Sequence, residues 1–240
     1  MKTKMSFIAA LILLFSYTAA NAQVEIAARA GVNFSNIVWV DDNGGTVSGT
    51  NFTPGLHVGV TFDFPLNRDF YIQPGLLFSM KGSKLTGNDA LNYYWEADEG
   101  YVDYMSADYT SLNAYYMEVP VNFLYKSEMN YGKLYLGAGP YVAFGIGGTY
   151  NDYYDGKSLK NKLEFINDWR DQSTDGDIMP YGKKVDAGLN LLVGYEFPNR
   201  FLVQLNGQVG LANIEINDAG QKPDGSMRNI GVGISVGYKF

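Results

Sequence analysis

The twelve residues Asn229 to Phe240, NIGVGISVGYKF, alternate without a fault. Ile230, Val232, Ile234, Val236, Tyr238 and Phe240 fall on one face; Asn229, Gly231, Gly233, Ser235, Gly237 and Lys239 fall on the other. A period of about two residues belongs to a strand, and a helix repeats about every 3.6. One face is apolar and turns aromatic at its end, while the other is polar or lacks a side chain. Seven earlier stretches share the pattern, and none reads as an amphipathic helix. Such repetition predicts an all-β fold, an eight-stranded antiparallel up-and-down transmembrane β-barrel with long external loops.

The strands are expected at Val24 to Phe34, about Phe52 to Phe64, Asp69 to Gly82, about Leu112 to Lys126, Tyr131 to Ile146, Gly182 to Phe197, Arg200 to Ala212, and Asn229 to Phe240. Short turns fall at Pro65-Leu66-Asn67-Arg68, Ser127 to Asn130 and Pro198-Asn199. The other connections are longer: a polar loop with Asp41-Asp42-Asn43-Gly44-Gly45, insertions from Ser83 to about Ser111 and from Gly147 to Tyr181, and a polar loop ending near Met227. Short turns all on one side and long loops on the other is the asymmetry of outer-membrane barrels. A soluble lipocalin-like barrel is the alternative, with its apolar face inside. The inward sets Glu25/Arg29, His57/Thr61/Asp63 and Gln204/Asn206/Gln208 suit a polar lumen instead. Pro74, Pro120 and Pro140 interrupt three strands, so each predicts a bulge or a missing ladder hydrogen bond.

Residues 1–22 read as a secretory signal peptide, and 23–240 as the barrel. Lys2 and Lys4 precede the apolar run Phe7 to Phe15, and Ala20-Asn21-Ala22 offers a cleavage site before Gln23. The run is far short of the roughly twenty residues a spanning helix needs. With no cysteine, the chain tolerates an oxidising compartment. A net charge of −7 argues against nucleic acid, which selects a basic face.

Several segments resemble a known family. They are Arg29-Ala30-Gly31-Val32-Asn33-Phe34-Ser35, Pro54-Gly55-Leu56-His57-Val58-Gly59, Ile72-Gln73-Pro74-Gly75-Leu76-Leu77-Phe78 with Lys81-Gly82, Met117-Glu118-Val119-Pro120-Val121-Asn122, Gly137-Ala138-Gly139-Pro140-Tyr141, Asp186-Ala187-Gly188-Leu189-Asn190 and the C-terminal Val236-Gly237-Tyr238-Lys239-Phe240. In this order they resemble the PorT-like outer-membrane β-barrel family of Bacteroidota, often labelled "porin family". The resemblance implies a barrel in the outer membrane of a Gram-negative bacterium, and it implies that the three prolines are designed bulges. The name-giving member of that family is tied to a protein-secretion system, a role the residues here do not carry over.

The sequence offers no catalytic, cofactor-binding or metal site. His57, the single histidine, shares its face with Thr61 and Asp63, and a barrel hydrolase would need such a base beside a nucleophile; no nucleophile motif accompanies it, and a lumen histidine paired with its neighbours is the plainer reading. Glu25, Arg29, Asp63, Lys81, Glu118, Lys126, Lys133, Asp186 and Glu196 put both signs of charge inside. Eight strands enclose a space that side chains can fill, so a plugged, salt-bridged interior is expected. Ala90 to Tyr109 is dense in tyrosine and acid, and suits a surface ligand or a protein or glycan partner better than a metal; the plainer reading is a solvated or hairpin-forming loop. Asp175-Gly176-Asp177 matches no calcium-loop pattern. Three functional classes follow: a non-enzymatic surface-binding or structural barrel, monomeric in outer-membrane lipid; a narrow solute channel or an accessory of a secretion system; and a lipid-modifying or proteolytic barrel enzyme.

Overall fold

The computed structural model describes residues 24–41, 43–46, 49–86, 108–154, 157–173 and 178–240. The signal peptide, Asp175-Gly176-Asp177 and nearly all of the Ala90 to Tyr109 segment lie outside the described residues. The described chain forms eleven strands: β1 (Glu25–Val40), β2 (Thr50–Asn51), β3 (Thr53–Pro65), β4 (Phe70–Thr86), β5 (Tyr109–Met129), β6 (Gly132–Tyr154), β7 (Lys157–Phe165), β8 (Ile178–Gly182), β9 (Val185–Glu196), β10 (Phe201–Gly210) and β11 (Ser226–Lys239).

Eight of these strands close a ring. β1 pairs with β3, β3 with β4, β4 with β5, β5 with β6, β6 with β9, β9 with β10, β10 with β11, and β11 returns to β1, every pair antiparallel. Closure leaves no free edge inside the bilayer, where an unpaired peptide group has no water to bond. The alternation read from the sequence is realised in space. Leu56, Val58, Phe123, Leu136, Leu191, Leu205, Val232 and Val236 are exposed on the outer wall, whereas Arg29, His57, Lys81, Asn122, Asp186 and Gln204 are buried inside. The membrane is the solvent that makes this arrangement favourable.

The prolines do not make bulges. Pairing lapses between Thr61↔Gly75 and Phe64↔Ile72 beside Pro74, between Pro74↔Val121 and Leu77↔Glu118 beside Pro120, and between Pro120↔Tyr141 and Phe123↔Ala138 beside Pro140. The register on either side is unchanged, so each proline removes ladder bonds without inserting a residue. Within the ring the register shift lies instead at Tyr115/Tyr116, opposite Gly145 to Gly147.

The second insertion, expected as loop from Gly147 to Tyr181, is mostly strand. β6 runs on to Tyr154, β7 returns beside it, and β8 lies parallel to β7 before leading into β9. Trp169–Asp171 forms a single 3-10 turn between β7 and β8. The signal was present in Lys157 to Phe165, KSLKNKLEF, where Leu159, Leu163 and Phe165 share one face and Ser158, Lys160, Lys162 and Glu164 the other. Above the ring, β2, β4, β5, β6, β7 and β8 therefore continue as one sheet on the external side.

Candidate functional site

The lumen is filled in layers. At the periplasmic end, Lys126 Nζ lies 2.6 Å from Asp63 Oδ2 and 3.3 Å from Glu25 Oε2. Lys239 Nζ lies 2.8 Å from Glu25 Oε2 and also bonds Glu196. Two ammonium groups and three carboxylates thus bridge β1, β3, β5, β9 and β11. Charges taken out of water persist only when paired in this way. Lys133 is half-buried at the rim. A thin apolar layer of Leu124, Tyr135 and Leu192 follows.

Next comes a polar layer. The Arg29 guanidinium donates to Gln204 Oε1, which also accepts from the Tyr135 hydroxyl at 3.3 Å. His57 Nε2 stands 2.7 Å from Ser235 Oγ. The expected His57/Thr61/Asp63 set is not brought together by hydrogen bonds: Asp63 takes Lys126 and, at 2.7 Å, Gln73 Nε2. Nor does Glu25 pair with Arg29, because the two lie in different layers. A polar gap of about 50 Å³ remains among Arg29, His57 and Glu118. That is room for water, not for a sugar or an amino acid.

Above it, Lys81 Nζ lies 3.0 Å from Glu118 Oε2 and 3.4 Å from Asp186 Oδ2. Asp186 accepts further from the Tyr141 hydroxyl at 3.2 Å and from Asn229 Nδ2 at 3.1 Å, and is fully buried. The ammonium sits 4.2 Å from the Tyr141 ring centroid, a cation–π contact. The knot spans β4, β5, β6, β9 and β11, so it ties opposite walls together.

An apolar cap closes the external end. Ile37, Tyr116, Tyr150, Leu163, Phe165, Tyr181, Ile214 and Met227 form one buried cluster. Phe165 packs edge-on against Tyr116 at 5.0 Å and against Tyr181 at 5.5 Å. A Cβ on Gly145 would fall 2.4 Å from the Phe165 ring, so only glycine lets β7 fold in this closely. The connection beyond β7 is pinned to the β10–β11 loop. Asp168 accepts from Arg170 Nε at 2.7 Å and from the Gly220 amide at 2.6 Å, and the Trp169 amide donates to the Asn217 carbonyl. The Arg170 guanidinium holds the Asp168 carboxyl down at about 2.

Between these loops and the cap lies a cavity of about 240 Å³. Trp39, Tyr150, Leu163, Trp169, Met179 and Met227 line it, with Thr50, Glu215 and Asp218 among its polar residues. Its floor is the apolar cap, and beneath that is the Lys81–Asp186 knot. A larger concavity, about 870 Å³, lies on the outer wall around Phe123, Leu136, Leu191, Leu205 and Val232. That surface faces acyl chains.

Sequence reasoning missed the mouth cavity, because β7, β8 and Ile214 were assigned to loops. Ser235 was legible as inward but not as the partner of His57. The Ala90 to Tyr109 segment meets the described structure only at Asp108 and Tyr109, where Tyr109 stacks on Tyr153 at 4.3 Å.

A closed eight-stranded ring, apolar outside and charged within, defines an outer-membrane β-barrel. The chain belongs to the outer membrane protein beta-barrel domain family, whose sequence profile matches residues 18–215. No curated protein matches the sequence. Among solved structures, it is similar to the attachment invasion locus protein Ail of Yersinia pestis in complex with the heparin analogue sucrose octasulfate, at 13% identity over 90% of this chain and 99% of that one, with a TM-score of 0.39. Neisserial surface protein A is similar at 12% identity over 90% and 97%, with a TM-score of 0.39. The outer membrane protein AlkL in lipid bilayers is similar at 10% identity over 91% of each chain, with a TM-score of 0.34. At these identities and scores nothing about ligand or partner transfers to this chain.

Proposed function

We propose that the protein is a non-enzymatic, monomeric surface-binding barrel whose lumen is sealed and whose external mouth takes a compact apolar ligand. The observation that carries this is the 240 Å³ mouth cavity ending on a closed floor. An aromatic- and methionine-lined cavity of that volume is larger than the roughly 150 Å³ known to admit benzene. Below it, among the described residues, the ion-pair layers surround gaps of about 50 and 10 Å³, which disfavours the narrow channel. His57 and Ser235 form a buried pair away from the mouth, so hydrolysis finds no substrate access there. The PorT-like segments support assignment to that subgroup, and the basic, apolar and small-residue order of residues 1–22 supports an export signal, which the mass of the mature protein would test. A protein or glycan partner at the external loops is a second reading, favoured by the stacked Tyr109 and Tyr153 at the rim.

The test pairs two measurements on purified protein. Equilibrium dialysis of naphthalene against protein in lipid nanodiscs is expected to show saturable binding that Met179→Trp abolishes by filling the cavity. Planar-bilayer recordings are expected to show no steady conductance. Reproducible channels of uniform size would overturn the sealed lumen, and binding that the variant leaves intact would overturn the pocket.

A further inference from the structure

Above the apolar belt, β4, β5, β6 and β7 carry three cross-strand rows on the outer face of the sheet. The lowest is Gly82↔Asn113↔Thr149↔Lys162, the next Lys84↔Ser111↔Asn151↔Lys160, and the highest Thr86↔Tyr109↔Tyr153↔Ser158. The face follows from parity, because Leu85, Leu112, Tyr150 and Leu163, next along each strand, line the mouth cavity on the inner side. Within these rows are three lysines, hydroxyls, amides and two stacked tyrosines, and no aspartate or glutamate; Glu164, the next outward residue of β7 below Lys162, accepts from the Ser173 amide at 3.0 Å. That composition stands out in a chain with 25 acidic and 18 basic residues. Among the described residues, no carboxylate is salt-bridged to Lys84, Lys160 or Lys162. Lys84 rests on the Tyr109 ring, 3.6 Å from its centroid, which holds its ammonium at this face.

The height of the rows is what gives the charge its meaning. Met80, Tyr115 and Ile146 mark the top of the belt on β4, β5 and β6. Alternate residues on a strand are about 7 Å apart, so the two lysine-bearing rows begin about 7 and 14 Å further along. Strand tilt of about 35–45° brings them lower. The lower row, at a height of about 5–6 Å, stands in the headgroup layer, which adds roughly 5–8 Å on each side of the hydrocarbon, and the upper row, at about 10–11 Å, stands just above it, within a lysine side chain's length of the headgroups.

We propose that this face docks the phosphate-bearing headgroups of the outer leaflet. The lysines supply the counter-charge, and Ser111, Asn113, Thr149 and Asn151 supply neutral donors to phosphate and sugar oxygens. The contact fixes the depth and tilt of the barrel and anchors the sheet that carries the mouth. It does not depend on what the mouth binds.

Wild type and the triple variant K84S/K160S/K162S would be refolded into phosphatidylcholine vesicles with and without phosphatidylglycerol. The gel shift of folded barrel confirms equal folding in phosphatidylcholine alone, and K84R/K160R/K162R controls for charge. Wild type and the arginine variant are expected to gain on the order of tenfold or more in the folded-to-unfolded ratio when the anionic lipid is added, a gain weakened by salt. The serine variant is expected to lose most of that gain. An equal gain in the serine variant, or none in wild type, would overturn the proposal. So would loss of binding to a soluble sulfated glycan with the lipid gain intact, which would assign the face to a glycan.

Discussion

Lys239 Nζ lies 2.8 Å from Glu25 Oε2, so the last strand is tied to the first by charge as well as by the β1–β11 ladder. The same ammonium bonds Glu196 on β9 and lies 3.5 Å from Asp63 on β3. One side chain thus gathers carboxylates from three other strands at the periplasmic end.

Removing that ammonium should weaken closure. Lys239→Met leaves Lys126 alone among three carboxylates, and breaking a buried pair costs on the order of 3 kcal/mol. Lys133→Met, at the half-buried rim, should cost less than about 0.5 kcal/mol. Denaturant titrations in lipid vesicles would check both, and equal losses would show that the cluster is not a closure device.

The lipid-facing side can be tested on the neighbouring strand positions. Ile234 faces the belt, and arginine there should cost about 2–4 kcal/mol. Ser235 is a poor inward control, because it is buried against His57. Gln208 is a better one, since its amide donates to Glu118 Oε1 and an arginine in its place meets a carboxylate. Gln208→Arg should be the milder change by at least about 1 kcal/mol in the same titrations.

Gly145 governs the cap. Gly145→Val should push Phe165 out from between Tyr116 and Tyr181 while the ring of eight strands stays folded. Limited proteolysis should then cut near β7, and the heat-modifiable gel shift should persist. A variant that resists proteolysis as wild type does would show that β7 docks without this close approach.

Asp168 sets the acid limit of the loop contact. Its folded carboxyl titrates near 2, below an unfolded value of about 3.9. A depressed carboxyl contributes stability above the unfolded value and loses it as pH falls through the folded one. Trp169 emission should therefore stay flat from neutral pH down to about 4 and change only below that. In Asp168→Asn the changed emission should already be present at neutral pH and should not vary across the range.

The side of the wall that each residue faces was legible along the chain. Leu56, His57 and Val58, or Ile234 and Ser235, take opposite faces because a strand's two-residue period is a local property of its backbone. Eight such stretches joined by alternating short and long links left one economical closure, and the acids and bases on the inward face foretold a lumen of paired charges. What fills that lumen was decided by tertiary structure. His57 meets Ser235 178 residues away, and Lys81 meets Asp186 105 residues away. Strand parity brings a side chain into the lumen but does not say which distant strand stands opposite or at what height. The mouth was decided in the same way: Leu163 and Phe165 carry a strand pattern too short to place, and only Gly145, Tyr116, Tyr181 and Ile214 around them show that the segment folds inward as a cap.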